Sequence, residues 1–217
     1  DFTLNITDAK LYNLNFDKID TTSAVTMLLT SNFKGNNIDN LDGEIKLLNS
    51  NFRKYSNNLE LYDFSIRTYK EDSKPVLSLR TDFVDAYIKG YYNFSTLGGF
   101  IKSTLVKLMP SQFHLGGKHN DFKKNNFTFE INFRNTDLIN NFFRTGILLS
   151  DKSNVIGEII ADSIIHVMGK ANSLTVKNNV FTDFSFDANV SGAELSVDVN
   201  SPSLTLLRQS ELKDFSV

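Results

Sequence analysis

The stretch TLGGFIKSTLVKLMP, residues 96–110, interrupts a chain that otherwise alternates apolar and polar residues as half-buried strands do. Within it, apolar residues recur every third or fourth position, which is typical of one face of a short helix: Leu97, Phe100, Ile101, Leu105, Leu108 and Met109. Gly98 and Gly99 weaken the start of this helix, and Pro110 ends it. An apolar helix inserted among strands has to bury its apolar face, so we expect it to cover an apolar surface made by the rest of the chain.

Residues 1–95, before this helix, are predicted to form consecutive strands joined by turns. Clusters of Gly, Asn and Asp, such as the one at 35–41, mark the turns, and short turns between strands indicate an antiparallel meander. Between Leu61 and Phe64 the alternation of apolar and polar residues shifts by one residue, which predicts a bulge. The predicted strands are Phe2–Ile6, Lys10–Phe16, Ala24–Thr30, Asp42–Asn49, Asn58–Arg67, Val76–Thr81 and Ala86–Tyr92.

After the helix, the chain is predicted to pass through a loop and return to strands. Residues 111–126 form the most loop-like stretch, and residues 127–134 (FTFEINFR) alternate perfectly, with one wholly apolar face. A second short helix is expected within residues 135–146, because Leu138, Ile139, Phe142 and Phe143 fall on one side of it. Strands at close spacing are predicted over 154–207, with Ser163–Lys170 and Ser173–Lys177 among them.

These elements predict a single all-β unit, residues 1–217, that is mainly an antiparallel meander with two short helices. Two architectures fit: an open curled sheet with an apolar groove, or a closed β-sandwich of two facing sheets. A meander of this length leaves two exposed edges unless it closes or continues into neighbouring sequence. Because the chain begins without Met and already in a strand pattern, we expect it to be a segment of a longer protein.

Composition limits the classes of partner and chemistry. The 217 residues carry Lys+Arg 23 against Asp+Glu 25, so the net charge of -2 implies no long-range field for nucleic acid or an anionic surface. Phe residues alternate with acidic residues as often as with basic ones, and no nucleic-acid partner is predicted. With Cys 0, disulfides and thiolate sites are excluded.

Catalytic and metal-binding patterns are equally sparse. His114 and His119 lie in the predicted loop at a spacing that matches no standard metal site, and His166 lies in a predicted strand, where a hydrogen-bonded structural histidine is expected. The sequence contains no GxSxG elbow, and its glycine pairs lack the lysine and spacing of a phosphate loop. We therefore predict a protein that is not an enzyme and that needs no metal or cofactor.

Two stretches carry a resemblance to a known family. They are GNNIDNLDGEI, residues 35–45, followed by Leu59-Glu60-Leu61, and LSLRTDFVDAYIKGYY, residues 77–92. They resemble the TamB proteins of the AsmA-like group, in which a segment of the type N-x-I-D-x-L-x-G-x-I precedes a strand of the type S/T-D-F-x-D-A-x-I-x-G. The resemblance covers residues 25–113, and the helix that ends in Leu108-Met109-Pro110 fits it.

The resemblance implies a fold, a location and a function. Proteins of this family are anchored in the bacterial inner membrane and extend through the periplasm as an open curled sheet, the β-taco. The resemblance implies that the apolar interior of this sheet conducts phospholipid acyl chains toward the outer membrane. TamB proteins are also linked to the assembly of outer-membrane proteins. The chain would then be a middle segment of a lipid-transfer conduit, with phospholipids and outer-membrane assembly proteins as partners.

On this interpretation, the apolar positions of the strands line the groove and the first helix caps or gates it. The expected lining residues are Ile45, Leu47, Leu59, Leu61, Leu77, Leu79, Ile88, Phe129, Ile131, Phe133, Leu174, Val176, Phe184, Phe186, Leu195 and Val197. The expected cap or gate residues are Phe100, Ile101, Leu105 and Leu108. The alternative function, tied to a closed sandwich, is a structural or adhesive module that binds protein or glycan through loops such as 111–126.

Overall fold

A computed structural model describes residues 1–37, 39–108, 125–160, 164–192, 194–206 and 211–216. Thirteen strands and two helices follow one another along these residues. The strands are β1 (Phe2–Lys10), β2 (Ala24–Lys34), β3 (Asp42–Lys54), β4 (Asn57–Glu71), β5 (Lys74–Thr81), β6 (Val84–Tyr91), β7 (Asn126–Phe133), β8 (Ile147–Leu149), β9 (Asn154–Ile160), β10 (Ile164–Val176), β11 (Asn179–Ser191), β12 (Glu194–Thr205) and β13 (Glu211–Ser216). The helices are α1 (Phe94–Leu108), between β6 and β7, and α2 (Asp137–Phe143), between β7 and β8.

All thirteen strands belong to one antiparallel sheet. Strands adjacent in the chain are adjacent in the sheet from β1 to β7, and the order continues through β9 to β13, with β8 paired beside β10. Strands β1 and β13 have one neighbour each among the described residues and do not pair with each other. Within the described residues, the protein is therefore an open curled sheet in which β1 and β13 are each unpaired along one edge, and the closed sandwich is excluded.

The strand register separates an apolar face from a polar one, because directly opposed residues in an antiparallel pair share a face. Three apolar rows cross the strands side by side, and together they form what is called here the trough. Row 1 comprises Ile45, Ile66, Leu79, Ala86, Ile131, Val155, Gly169, Phe186 and Val199. Row 2 comprises Leu77, Ile88, Phe129, Gly157, Val167, Ala188 and Val197, and row 3 comprises Phe127, Ile159, Ile165, Val190 and Leu195.

The opposite face of the sheet is mainly polar. A row parallel to row 1 carries Glu44, Arg67, Ser78, Tyr87 and Glu130 at successive strands, and it continues through Ile156 and Met168 to Asp187 and Asp198. On this face, an ion pair joins Arg80 of β5 to Asp63 of β4 at 2.9 Å, and another joins Lys89 of β6 to Asp72, in the turn between β4 and β5, at 2.9 Å. The alternation along each strand therefore places most apolar and most polar side chains on opposite faces, as in an antiparallel sheet with one face exposed to solvent.

Side-chain exposure shows that the trough is open. Every residue of row 1 except Gly169 is half-buried, whereas facing sheets in a sandwich would bury such a row completely. The accessible surface of the chain is 13960 Å² for 24.5 kDa, against roughly 10,000 Å² for a compact monomer of that mass. Among the described residues, apolar surface on one face of the sheet is thus left without a protein partner over most of its length.

The backbone is irregular at two positions where the alternation of apolar and polar residues shifts. Asn49 in β3 and Asp183 in β11 have positive φ, 46° and 49°, inside their strands. Across Asp183, the rings of Phe181 and Phe184 lie 5.7 Å apart although they are three residues apart in sequence, so both lie on one face. The bulge predicted in β4 between Leu61 and Phe64 is not found, because the register of β4 with β3 is unbroken there; the register shift lies between β2 and β3, beside Asn49.

Several predicted element bounds differ from the structure. The expected strand Lys10–Phe16 is a turn after β1, in which Phe16 N–H donates to Leu11 O at 2.9 Å and Asn15 has φ 64°. The two strands predicted over 163–177 are one strand, β10, since Ala171 continues its pairing with β11. Strand β8 was missed because three residues are too few to show a period.

Candidate functional site

Most of the predicted lining residues lie on the trough face. Row 1 contains Ile45, Leu79, Ile131 and Phe186; row 2 contains Leu77, Ile88, Phe129 and Val197; row 3 contains Leu195. Three more lie on the same face, each two residues along its strand from a residue of row 1. They are Leu47, opposite Leu29 and Phe64; Phe133, opposite Val84; and Phe184, opposite Ala171. The register thus brings residues from β3 to β12 onto one continuous apolar surface.

The remaining four predicted lining residues lie beyond the irregular positions Asn49 and Asp183. Leu59 and Leu61 are each 5% exposed, so they are buried and do not form open lining. Leu174 lies opposite Phe181, whose ring touches Phe184, and it therefore extends the trough face past Asp183. Val176 follows two residues later on the same strand, opposite Ile147 of β8.

Helix α1 lies over one part of the trough. Phe100 is 6% exposed and packs against Phe127 and Ile159 of row 3, which fixes the helix to β7 and β9. Beside this contact, the helix and the sheet enclose a cavity of 530 Å³. Its lining comprises Phe94, Leu97, Ile101 and Thr104 from the helix, together with residues of rows 2 and 3 and Ile131 of row 1.

The lining of this cavity offers a ligand only apolar contacts. Among the described lining residues, Thr104 alone has a polar side chain, and its hydroxyl donates to Phe100 O at 3.0 Å within the helix. The cavity reaches the open trough along row 2, where Val197 is 46% exposed. This site can therefore accept a hydrocarbon chain but has no group that would hold a charge.

The four predicted cap or gate residues have different positions. Phe100 anchors the helix, whereas Ile101, 39% exposed, lines the cavity. The side chains of Leu105 and Leu108 lie outside the described residues, although their backbone belongs to α1. The structure therefore divides anchoring and lining between two adjacent residues that the helical period alone treats alike.

The amino end of α1 is held by two polar contacts from elsewhere in the chain. Asp39, in the loop between β2 and β3, accepts hydrogen bonds from the N–H groups of Phe94 at 2.5 Å and Ser95 at 3.4 Å, and from the Ser95 hydroxyl. Asn93 donates its N–H to the buried Oδ1 of Asn125 at 2.8 Å, and its own Oδ1 accepts from Thr96 N–H at 3.1 Å. A carboxylate placed at the positive end of a helix dipole stabilises that end.

Two glycines allow aromatic rings to lie along the trough floor. A Cβ at Gly169 would lie 2.2 Å from the ring of Phe186, and one at Gly157 would lie 2.7 Å from the ring of Phe129. Each glycine lies directly opposite that ring, in the neighbouring strand of its row. A side chain at either position would have to displace the ring, and at Gly157 it would also meet the backbone oxygen of His166, 2.4 Å from the Cβ.

Sequence reasoning missed several trough residues. Phe127, Ile159, Val167 and Val190 line the cavity, and each lies two residues from another residue of the trough face on its own strand, so a stricter use of the two-residue period would have found them. In the sequence, Asp39 stands out only as part of the stretch GNNIDNLDGEI. Its role depends on a contact between residues 55 positions apart, which no local pattern reports.

The titratable groups lie mainly away from the trough. His166 is on the polar face, with Nε2 3.0 Å from the Asp187 carboxylate, while His114 and His119 lie outside the described residues. On the same face, the hydrogen bond from Tyr87 to Glu71 raises the pKa of Tyr87 to about 12. No group of three or more His, Asp or Glu residues in the described part of the chain is arranged to hold a metal ion.

Comparison of the chain with protein-family models, with curated proteins and with solved structures found no match. Neither of the helices in the described ranges has the length and hydropathy needed to cross a bilayer.

Proposed function

We propose that this chain is a non-enzymatic segment of a lipid-transfer conduit, and that its trough carries the acyl chains of phospholipids. The observation that supports the proposal most directly is the set of three apolar rows on the open face of a single sheet whose other face is mainly polar, with row 1 half-exposed except at Gly169. An apolar surface of this extent without a protein partner favours a ligand with long apolar parts.

The dimensions of the trough fit this role. With strands about 4.8 Å apart, the eight steps from β3 to β12 make row 1 about 40 Å long. The hydrocarbon core of a whole bilayer is about 30 Å thick, so the trough is longer than one acyl chain. Each CH₂ removed from water contributes about 0.8 kcal/mol wherever it lies on such a floor, so a chain can occupy successive positions with similar affinity.

The cellular setting is part of the proposal and rests on the resemblance to TamB and AsmA-like proteins. It places the segment in the periplasm, within a protein anchored in the inner membrane, and directs the lipid between the inner and outer membranes. Outer-membrane assembly proteins are the further partners that the resemblance supports. The competing function, an adhesive sandwich, depended on a closed fold that the open sheet contradicts.

The experiment compares two neighbouring residues of β5 that face opposite ways. Leu79→Asp places a carboxylate on the trough floor, whereas Ser78→Asp places the same group on the polar face, opposite Arg67. An acyl chain that covers a carboxylate has to strip its water, at a cost of several kcal/mol. Native mass spectrometry and organic extraction after incubation with phospholipid vesicles should therefore show lipid on the wild type and on Ser78→Asp, and about 100-fold less on Leu79→Asp.

Two results would contradict the proposal. If the wild-type protein took up no phospholipid, the trough would have another purpose. If both variants bound lipid equally while folding normally, the bound lipid would lie somewhere other than on the floor. Circular dichroism of each variant checks the folding.

A further inference from the structure

We infer that the cavity beneath α1 is a discrete resting site for one phospholipid, which places one acyl chain under the helix and the other in the adjoining open trough. This inference rests on the proposed function and adds to it a specific position. On the open part of the trough, an acyl chain is covered by protein on one side only. Under α1, an acyl chain is contacted by the sheet below and the helix above, so the affinity for the acyl chain is highest there.

The volume of the cavity fits one chain. A water-sized group takes roughly 30 Å³, so 530 Å³ accommodates about 18 such groups, the size of one common acyl chain. Because the cavity shares Ile131, Phe129 and Val197 with rows 1 and 2, it opens directly onto half-exposed apolar floor that can cover the second chain.

The charge around the cavity favours a phosphate headgroup outside it. The described lining carries no charged side chain, which excludes the headgroup from the interior. Helix α1 contains lysines but no acidic residue, and the exposed Lys102 directly follows Ile101, which lines the cavity. A phosphate held outside the cavity can therefore pair with Lys102.

The test fills the cavity without adding charge. Ala188 lies in row 2 and lines the cavity, so Ala188→Phe inserts a ring into the space a chain would occupy. The matched control is Asn189→Phe, at the next residue of β11, which is exposed on the polar face opposite His166. Val197→Phe is a second filling variant at a half-exposed position, and it serves if Ala188→Phe fails to fold.

Each protein is incubated with phosphatidylglycerol vesicles, and retained lipid is counted by native mass spectrometry during dilution. The wild type and Asn189→Phe should each retain one lipid per protein molecule and release it slowly. The two cavity-filling variants, Ala188→Phe and Val197→Phe, should release it at least tenfold faster. Equal retention by the filling variants and the control would overturn the cavity site while leaving lipid carriage by the trough intact. Absence of lipid from the wild type would overturn both. If palmitate, which has one acyl chain, displaced the slowly released phospholipid as well as a second phospholipid does, the two-chain arrangement would also be overturned.

Discussion

Removing the carboxylate of Asp39 should loosen α1 without unfolding the sheet. Asp39 accepts from the N–H groups of Phe94 and Ser95 and from the Ser95 hydroxyl, and the first turn of α1 contains no acidic residue of its own. Loss of a capping side chain costs about 1 kcal/mol, and loss of a charge at the positive helix end costs about 0.3–1 kcal/mol more. Asp39→Ala should therefore raise the opening equilibrium of α1 about 10- to 30-fold.

Hydrogen exchange measures this opening directly. Amides of α1 such as that of Thr104 should exchange about 10- to 30-fold faster in Asp39→Ala, while amides in β10 and β11 keep their wild-type rates. Asp39→Asn removes the charge but keeps an acceptor, so its effect should be smaller, about two- to fivefold. Asp42→Ala, at an exposed position close by at the start of β3, is the control and should leave exchange in α1 unchanged.

Two outcomes would refute the reasoning. Unchanged protection of α1 in Asp39→Ala would mean that Asn93, Asn125 and the packing of Phe100 hold the helix without help. A uniform loss of protection over the whole sheet would mean that Asp39 stabilises the global fold instead of the attachment of one helix.

Other variants test the burial of Leu61, the trough floor and the pH dependence. Leu61→Ala, at a residue 5% exposed, should lower the free energy of unfolding in urea by about 2–5 kcal/mol, while Leu79→Ala on the open floor should cost clearly less; equal losses would contradict an open trough. In Gly169→Val, the added Cβ would lie 2.2 Å from the ring of Phe186, so the free energy of unfolding should fall by about 1–3 kcal/mol, seen as a lower melting temperature. An unchanged melting temperature would contradict this packing. Hydrogen bonds from backbone N–H groups, that of Asp20 first, hold the pKa of Asp17 below its ordinary value of 3.8. Its stabilising contribution is therefore complete above that value and is lost as pH falls through the lower folded pKa, so Asp17→Asn should flatten the acid limb of the stability curve between about pH 5 and pH 2.

Much of the trough could be predicted because strand alternation is local. Along β7, Phe127, Phe129 and Ile131 must share a face once the segment is extended, whatever it packs against. The same holds for Leu77 and Leu79 in β5. Where the backbone is irregular, as at Asn49, the two-residue period fails, and Leu59 and Leu61 in the neighbouring strand are buried instead of lying on the open floor.

The helices show the limit of local pattern. The spacing of apolar residues predicts that α1 buries one face, but Phe100 and Ile101 share that face and only packing separates the anchor from the cavity lining. The contact of Asp39 with the helix end joins residues far apart in the chain. No period in the sequence contains information about such a pair.

The amino-acid sequence by itself determined that this chain is a meander of strands with an apolar face, interrupted by one apolar helix, because alternation and helical period act between near neighbours. Whether that face closes against a second sheet depends on how thirteen strands pair, twist and bulge together. Only the tertiary structure decided that the sheet stays open, that α1 covers part of the trough, and that a cavity of 530 Å³ remains between them.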